Sequence, residues 1–216
     1  MLTVSEYSRA EIIRWADLPA ERVVTVGNGG GPPFEPEGPQ RQTGYPYVLY
    51  VSNSRPHKGL GNLLLAFRGT PSADPRLVLA GRLSAETSRC VESLGIGHRT
   101  EIVDSPTDQD LACLYRGALC LVIPSLVEGF GLPALEGMAC GARHCAARGC
   151  RGSRRPGDPL DVTAIRREIE LVLGSPQRQA AMRARGTERA RQFTGDKVAA
   201  KVRAVLEEAG GSLPGP

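Results

Sequence analysis

The chain is poor in several things at once. It has no apolar run near the ~18–20 residues that a membrane-crossing helix needs; the cleanest, Ala118 to Ile123, suits a buried strand. Its first residues, MLTVSEYSR, show no basic stretch leading into an apolar core, so no secretory leader is expected. Lysine is nearly missing: of 27 basic residues only Lys58, Lys197 and Lys201 are lysine. Arginine in place of lysine follows from a GC-rich coding sequence, and a nucleic-acid surface is the sharper alternative. The Arg-rich stretch from Arg143 to Arg155 carries no aromatic residue on which bases could stack, so nucleic acid is not an expected partner. Six cysteines, at 90, 113, 120, 140, 145 and 150, do not make the framework of a small secreted domain. They read as mostly buried, reduced thiols in a cytosolic protein.

What remains is globular. Hydrophobic residues at 41% and charged residues at 23% exclude wholesale disorder, and 216 residues give room for one large domain. The net charge of +4 hides an asymmetry. Residues 1–139 hold 12 basic against 15 acidic groups, and residues 140–216 hold 15 against 8.

Strand and helix signals alternate along the chain. Leu2 to Val4 reads as the end of a strand, and Ser8–Glu11 as a capping box opening a helix to about Trp15. A short strand at Arg22–Val26 precedes a Gly/Pro-rich stretch over 27–46 that holds neither helix nor central strand and marks a linker or boundary. Beyond it the spacing predicts strands at 47–52, 77–80, 100–103 and 118–123, the last the most buried. Helices are predicted at 58–68, 85–94 and 107–116, and from Pro133 to about Cys140. Amphipathic helices at 162–173, 176–192 and 196–208 form a helical tail, with Gly174 stopping the first. Strand–helix repetition with Val, Ile and Leu in the strands implies a doubly wound parallel α/β sheet. Ligands bind such sheets at the carboxyl ends of the strands, here the loops 52–57, after Ala80, and 124–132.

The last of these loops carries the most chemistry. In PSLVEGFGLPALEGMACG (124–141), Gly129 and Gly131 allow close backbone approach and Pro133 fixes a helix start. The amides of Phe130, Gly131 and Leu132 then stand where an anion binds. Glu128 and Glu136 are eight apart, ~80° out of phase on a continuous helix. Because Glu128 precedes the helix, the loop can turn it toward the same cleft, where carboxylates accept hydrogen bonds from sugar hydroxyls. Lys58, at the start of a helix after SNSRPH, is a compact cation at a loop mouth and suits a diphosphate.

These residues carry a resemblance. EGFGLPALEGMACG, with Glu128 and Glu136 in an E-x7-E pattern, resembles the nucleotide-sugar half of retaining GT-B glycosyltransferases of family 4, also called glycosyl transferases group 1. YVSNSRPHKGLGNLLLAF (50–67) is similar to that family's GN-x-x-P-H-K-N segment, and TDQDLACLYRGALCLVIPS to the stretch before its E-x7-E. LTVSEYSRAEIIRW and VVTVGNG resemble the family's crossover between domains. The resemblance implies a Rossmann-like fold that binds a GDP- or UDP-linked hexose, with no metal or other cofactor. Lys58 would hold the donor diphosphate and, with Glu128, serve the catalytic step. Glu128 would contact the transferred sugar, Glu136 the ribose hydroxyls, and the amides of Phe130, Gly131 and Leu132 the sugar or leaving-group oxygens. Gly81 would leave space for the nucleotide, and the backbone around Val103 and Ser105 would read the base. The family's companion arginine stands five residues before the lysine, where this chain has Asn53; Arg55 is the substitute.

By the same resemblance, residues 1–27 are a remnant of the N-terminal acceptor domain and crossover, 28–46 a linker, and 47–216 the nucleotide-sugar-binding domain. The family's acceptor domain is not present, so hexosyl transfer by the chain alone is expected to be incomplete or inactive. The alternative is the non-catalytic half of a split enzyme, partnered by a separate acceptor-domain chain. Residues 142–157 are atypical: AlaArgHisCysAlaAlaArgGlyCysArgGlySerArgArgPro stands where the family has an apolar strand, as an out-of-frame stretch of GC-rich DNA would read. Cys140, His144, Cys145 and Cys150 have no common zinc-ligand spacing. The apolar face of the last helix, Val198, Val202, Val205 and Leu206, is expected to be exposed or to bind another chain. The expected location is the cytoplasm, with the inner membrane face as a peripheral site.

Overall fold

The computed structural model describes residues 1–71, 75–142 and 161–210, with residues 144–146 by their backbone. At the start, β1 (Leu2–Thr3) pairs in parallel with β2 (Val24–Thr25) across the helix α1 (Glu6–Ala16). The cap of α1 is Ser5, not Ser8: Ser5 has extended backbone and its hydroxyl accepts from the Ser8 amide at 3.0 Å. Ser8 is thus the third helical residue, and the cap lies three positions earlier than expected, on another small polar residue.

The main sheet follows as β3 (Tyr47–Val51), α2 (Leu60–Arg68), β4 (Arg76–Gly81), α3 (Ala85–Ser93), β5 (Thr100–Asp104), α4 (Asp108–Gly117), β6 (Cys120–Ile123), α5 (Leu132–Ala139) and β7 (His144–Ala146). Its five strands are all parallel in the order β5-β4-β3-β6-β7. Alternation along the strands divides the core between two faces. Val48, Tyr50, Leu77, Leu79 and Val122 meet Leu63, Leu64 and Phe67 of α2 on one side. Tyr47, Leu49, Val78 and Leu121 meet Ala112, Leu114 and Tyr115 of α4 on the other. Each enclosed Leu or Phe contributes about 1.5–3 kcal/mol, so both faces are needed to hold the sheet and doubly wound layering follows.

Two expectations about the sheet are corrected. β7 forms in the Arg-rich stretch where no strand was expected, pairing Leu121 with His144 and Ile123 with Ala146. A parallel strand next to a buried neighbour needs backbone partners more than an apolar run. The most enclosed strand is not β6: β3 sits at the centre of the five, with Tyr47–Tyr50 all buried. The remainder of the atypical 142–157 segment, including Cys150, lies outside the described residues, as do the side chains of His144 and Cys145.

The tail helices are α6 (Val162–Leu173), α7 (Pro176–Ala190) and α8 (Gly195–Glu208). Ile165, Ile169 and Val172 seal α6 onto the α2 face, and Gly174 is its C-cap. Neither α1 nor α8 has a buried residue; on α8, Leu206 is exposed and Val198, Val202 and Val205 are half-buried. The Gly/Pro-rich stretch forms no helix or ladder strand, yet it is bound along its length. A Cβ on Gly29 would stand 2.6 Å from the Gly195 nitrogen, and the Gly30 amide donates to the Phe193 carbonyl at 3.0 Å. Further on, Arg116 donates to the carbonyls of Pro33, Glu35 and Pro39 at 2.8, 2.8 and 3.0 Å. Of the cysteines, Cys120 and Cys140 are buried, but Cys90 is exposed on the outer side of α3 rather than enclosed.

Candidate functional site

The strand order reverses between β3 and β6: the chain leaves β3 toward β4 and β5, and leaves β6 toward β7. A crevice opens at such a reversal, between the loops that follow the two strands. Those loops are 52–59 and 124–131, which hold Lys58 and Glu128.

Three contacts lock the loops together. The Leu126 amide donates to the His57 carbonyl at 2.8 Å. Lys58 Nζ donates to Glu128 Oε1 at 2.9 Å, with the two side chains 17% and 21% exposed. Between them, Gly59 is left-handed (φ 69°), and a Cβ there would lie 2.0 Å from the Pro124 carbonyl oxygen. Lys58 therefore does not open the helix, as its position suggested. It ends a 3-10 turn, Pro56–Lys58, and α2 begins only after Gly59. Gly59 was not singled out in the sequence, although it stands where the resembling segment has asparagine. Glycine and asparagine are the two residues that enter this left-handed region most readily.

The second loop leads into α5. Gly131, left-handed at φ 91°, is the N-cap, no side chain caps the helix, and Pro133 in its first turn has no N–H. Among the described residues no acceptor meets the amides of Phe130, Gly131 or Leu132, and the helix dipole adds to their positive potential. The loop is braced from both sides. Ser5 Oγ and Ser8 Oγ donate to the Gly129 carbonyl, the latter at 3.4 Å, and the Phe130 ring packs edge-on to Phe193 at 5.7 Å. Behind it lies a cavity of about 450 Å3 whose lining includes Val4, Phe130, Leu135, Met138, Arg189, Phe193 and Lys201.

Glu136 is placed differently from Glu128. It sits one turn further along α5, half-buried, and its Oε2 accepts from the Tyr115 hydroxyl of α4 at 2.9 Å. Burial raises the Glu136 pKa, the Tyr115 hydrogen bond pulls it down, and the charge of Asp108 pushes it up again. The two carboxylates thus have separate partners, and Tyr115 is a site neighbour that the sequence reading missed.

The remaining candidates fall on loop ends. Asn53 spends its Oδ1 on the Arg55 amide at 3.2 Å, and its carbonyl accepts from the Tyr50 hydroxyl at 3.2 Å; Arg55 is exposed. Gly81, at φ 132°, makes room for the Ser52 carbonyl, which would stand 1.9 Å from a Cβ there. Its absent side chain is thus accounted for by protein, where space for a nucleotide was expected. Val103 is half-buried at the end of β5, and Ser105 turns the chain there with φ 47° and donates its amide to the Gly81 carbonyl at 3.4 Å. Asp108 and Asp110 have the spacing of a carboxylate pair, but Asp110 is engaged in the capping box of α4 with Thr107. Among the described residues no helix is long and apolar enough to cross a membrane.

The family pattern of glycosyl transferases group 1 matches residues 33–150. The chain belongs to this family, and its sheet is the Rossmann-like half of the GT-B fold. The chain is 32% identical over 215 residues to the O-antigen chain mannosyltransferase B of Escherichia coli, covering 90% of this chain and 56% of that one. It is 31% identical over 227 residues to the MMP alpha-(1->4)-mannosyltransferase of Mycolicibacterium hassiacum, covering 97% and 54%. The chain thus spans about half the length of these curated relatives. Its fold matches the sucrose-phosphate synthase of Thermosynechococcus elongatus with a TM-score of 0.81 at 24% identity, over 96% of this chain and 57% of that one. It also matches Anabaena HepE in complex with UDP and glucose, at a TM-score of 0.80 and 18% identity, over 96% and 62%.

Proposed function

We propose that this chain is the donor-binding domain of a glycosyltransferase that moves a hexosyl group from a nucleoside diphosphate with retention of configuration. The observation that carries the reading is the Lys58–Glu128 pair at the strand-order reversal, beside a helix start whose amides have no acceptor among the described residues. A diphosphate satisfies both the cation and the amides. As the bond between the sugar carbon and the diphosphate oxygen breaks, its electron pair passes to the leaving group; an acceptor hydroxyl oxygen bonds to that carbon on the same face, and its proton passes to the departing diphosphate. Lys58 and the amides of Phe130, Gly131 and Leu132 neutralise the growing charge, so the reading requires no metal. Glu128, released from Lys58, accepts hydrogen bonds from the transferred sugar. Glu136 accepts from the ribose hydroxyls through Oε1, which has no protein partner among the described residues. Val103 and Ser105 at the end of β5 lie beside the base.

The two curated relatives named above transfer mannose, and HepE is complexed with UDP and glucose; GDP- and UDP-linked hexoses are accordingly the donors to test. Calorimetry of the chain with UDP, GDP and ADP, on wild type and Glu136→Ala, tests the reading. The expected result is weak binding of UDP or GDP and a severalfold loss in the variant. Equal isotherms for the two proteins would remove Glu136 from the site, and no heat with any nucleotide would overturn the reading. Little or no sugar transfer is expected of the chain alone.

A second reading is favoured by α1 and α8, which bury no residue, and by Trp15, 88% exposed. In it the chain acts with a separate polypeptide that carries the acceptor site. Transfer activity restored by adding a second chain to the purified protein would favour this reading; activity of the isolated chain would exclude it.

A further inference from the structure

The phenol of Tyr115 has no place in the reading above, and its setting is costly. Tyr115 is fully enclosed on the α4 face, among Tyr47, Leu49, Leu121 and other apolar groups, where phenylalanine would pack as well. Instead a hydroxyl is drawn out of water and a carboxylate partly so, which is unfavourable unless each satisfies the other. They do, at 2.9 Å. The ring is fixed in turn: Phe34 meets it edge-on at 6.0 Å. The stretch that carries Phe34 is tied down by the three hydrogen bonds of the neighbouring Arg116. The donor is therefore rigid, and among the described residues only one carboxylate oxygen, Oε2, is taken.

We propose that Tyr115 is a positioning residue for donor binding: by holding Glu136 Oε2 it fixes the carboxylate so that Oε1 is presented to the nucleotide ribose. The inference rests on the assignment of Glu136 to the ribose. It explains why a polar pair is kept inside an apolar layer, since the pair aims an acceptor. The phenol stays a donor under all ordinary conditions, because burial and then the Glu136 charge raise its pKa well above normal. Its hydrogen bond in turn opposes the burial that raises the Glu136 pKa. The titratable groups around Glu136 are Asp108 and Tyr115 of α4 and Cys140 at the end of α5; the Cys140 thiol is itself pushed up to about 11 by burial.

The test is calorimetry with UDP-glucose and GDP-mannose, whose diphosphates do not titrate near neutrality, on the full chain from acid to neutral pH. Wild type, Tyr115→Phe, Glu136→Ala and the double variant are compared, each checked by thermal melting. A protonated Glu136 accepts fewer hydrogen bonds, so wild-type affinity falls as the pH drops through its raised pKa. Tyr115→Phe is expected to bind roughly three- to tenfold more weakly at neutral pH, with the acidic fall moved to higher pH. The double variant is expected to match Glu136→Ala, because Tyr115 acts only through Glu136. Phe34→Ala, which loosens the ring without touching Glu136, provides a second route, and a smaller displacement in the same direction is expected. An unmoved acidic fall in both Tyr115→Phe and Phe34→Ala would overturn the proposal. So would an equal loss from Tyr115→Phe with and without Glu136, which is the mark of a packing role alone. If Glu136→Ala binds as wild type, the ribose assignment and this proposal fall together; if only Tyr115→Phe binds as wild type, the proposal falls and the assignment stands.

Discussion

The two glutamates of one motif, eight positions apart, live in opposite surroundings. Glu128 lies in a loop, partly wet, paired with a cation that comes from a different loop. Glu136 lies on a helix, half-buried, paired with a neutral phenol beneath it. Identical side chains are therefore subject to different controls. The loop pair is electrostatic, so salt and a competing anion act on it. The helix pair is a desolvated hydrogen bond, so pH acts on it.

The largest effect expected from breaking this contrast is structural. Gly59→Ala forces a side chain into the Pro124 carbonyl at a left-handed position. A cost of about 2 kcal/mol or more is expected, seen as a lower denaturation midpoint. The two loops then separate, with nucleotide binding lost alongside. Next, Lys58→Ala removes the cation, and calorimetry is expected to show nucleoside diphosphate affinity falling ~10–100-fold, the scale of charge-assisted hydrogen bonds. The effect is expected to shrink as salt is added. Glu128→Gln has the opposite sign: it frees Lys58 from its internal partner, so UDP or GDP affinity should rise about two- to threefold while sugar transfer in the reconstituted enzyme is abolished. Smallest is Glu136→Gln. A carboxylate with a raised folded pKa loses stability as the pH climbs through that pKa, and carries no such loss below its unfolded value. The amide is free of this loss, so its melting temperature should exceed wild type slightly near neutral pH and converge with it in acid.

The layered sheet was legible in the residues because strand periodicity survives without context. Runs such as Tyr47–Val51 and residues 77–80 are apolar on both faces, as a strand covered by helices requires. As candidates, Lys58 was legible from its rarity and Glu128 from its place in the loop before a helix. Their pairing was not, because it depends on Gly59 letting one backbone approach another, a contact between positions 65 apart in the chain. Tyr115 was hidden for a related reason: its spacing on α4 marks an apolar face, and nothing local shows that its hydroxyl meets a carboxylate on the next helix. The strand β7 was hidden because its residues owe their conformation to the edge of β6 rather than to their own preference.

The central claim is that the Lys58–Glu128 pair is the resting form of a diphosphate site. The most direct measurement is a crystal structure of the chain soaked with UDP or GDP. The account predicts Lys58 Nζ turned from Glu128 to a phosphate oxygen, with the amides of Gly131 and Leu132 on the same diphosphate. A nucleotide bound elsewhere, with the ion pair intact at about its present 2.9 Å, would contradict it.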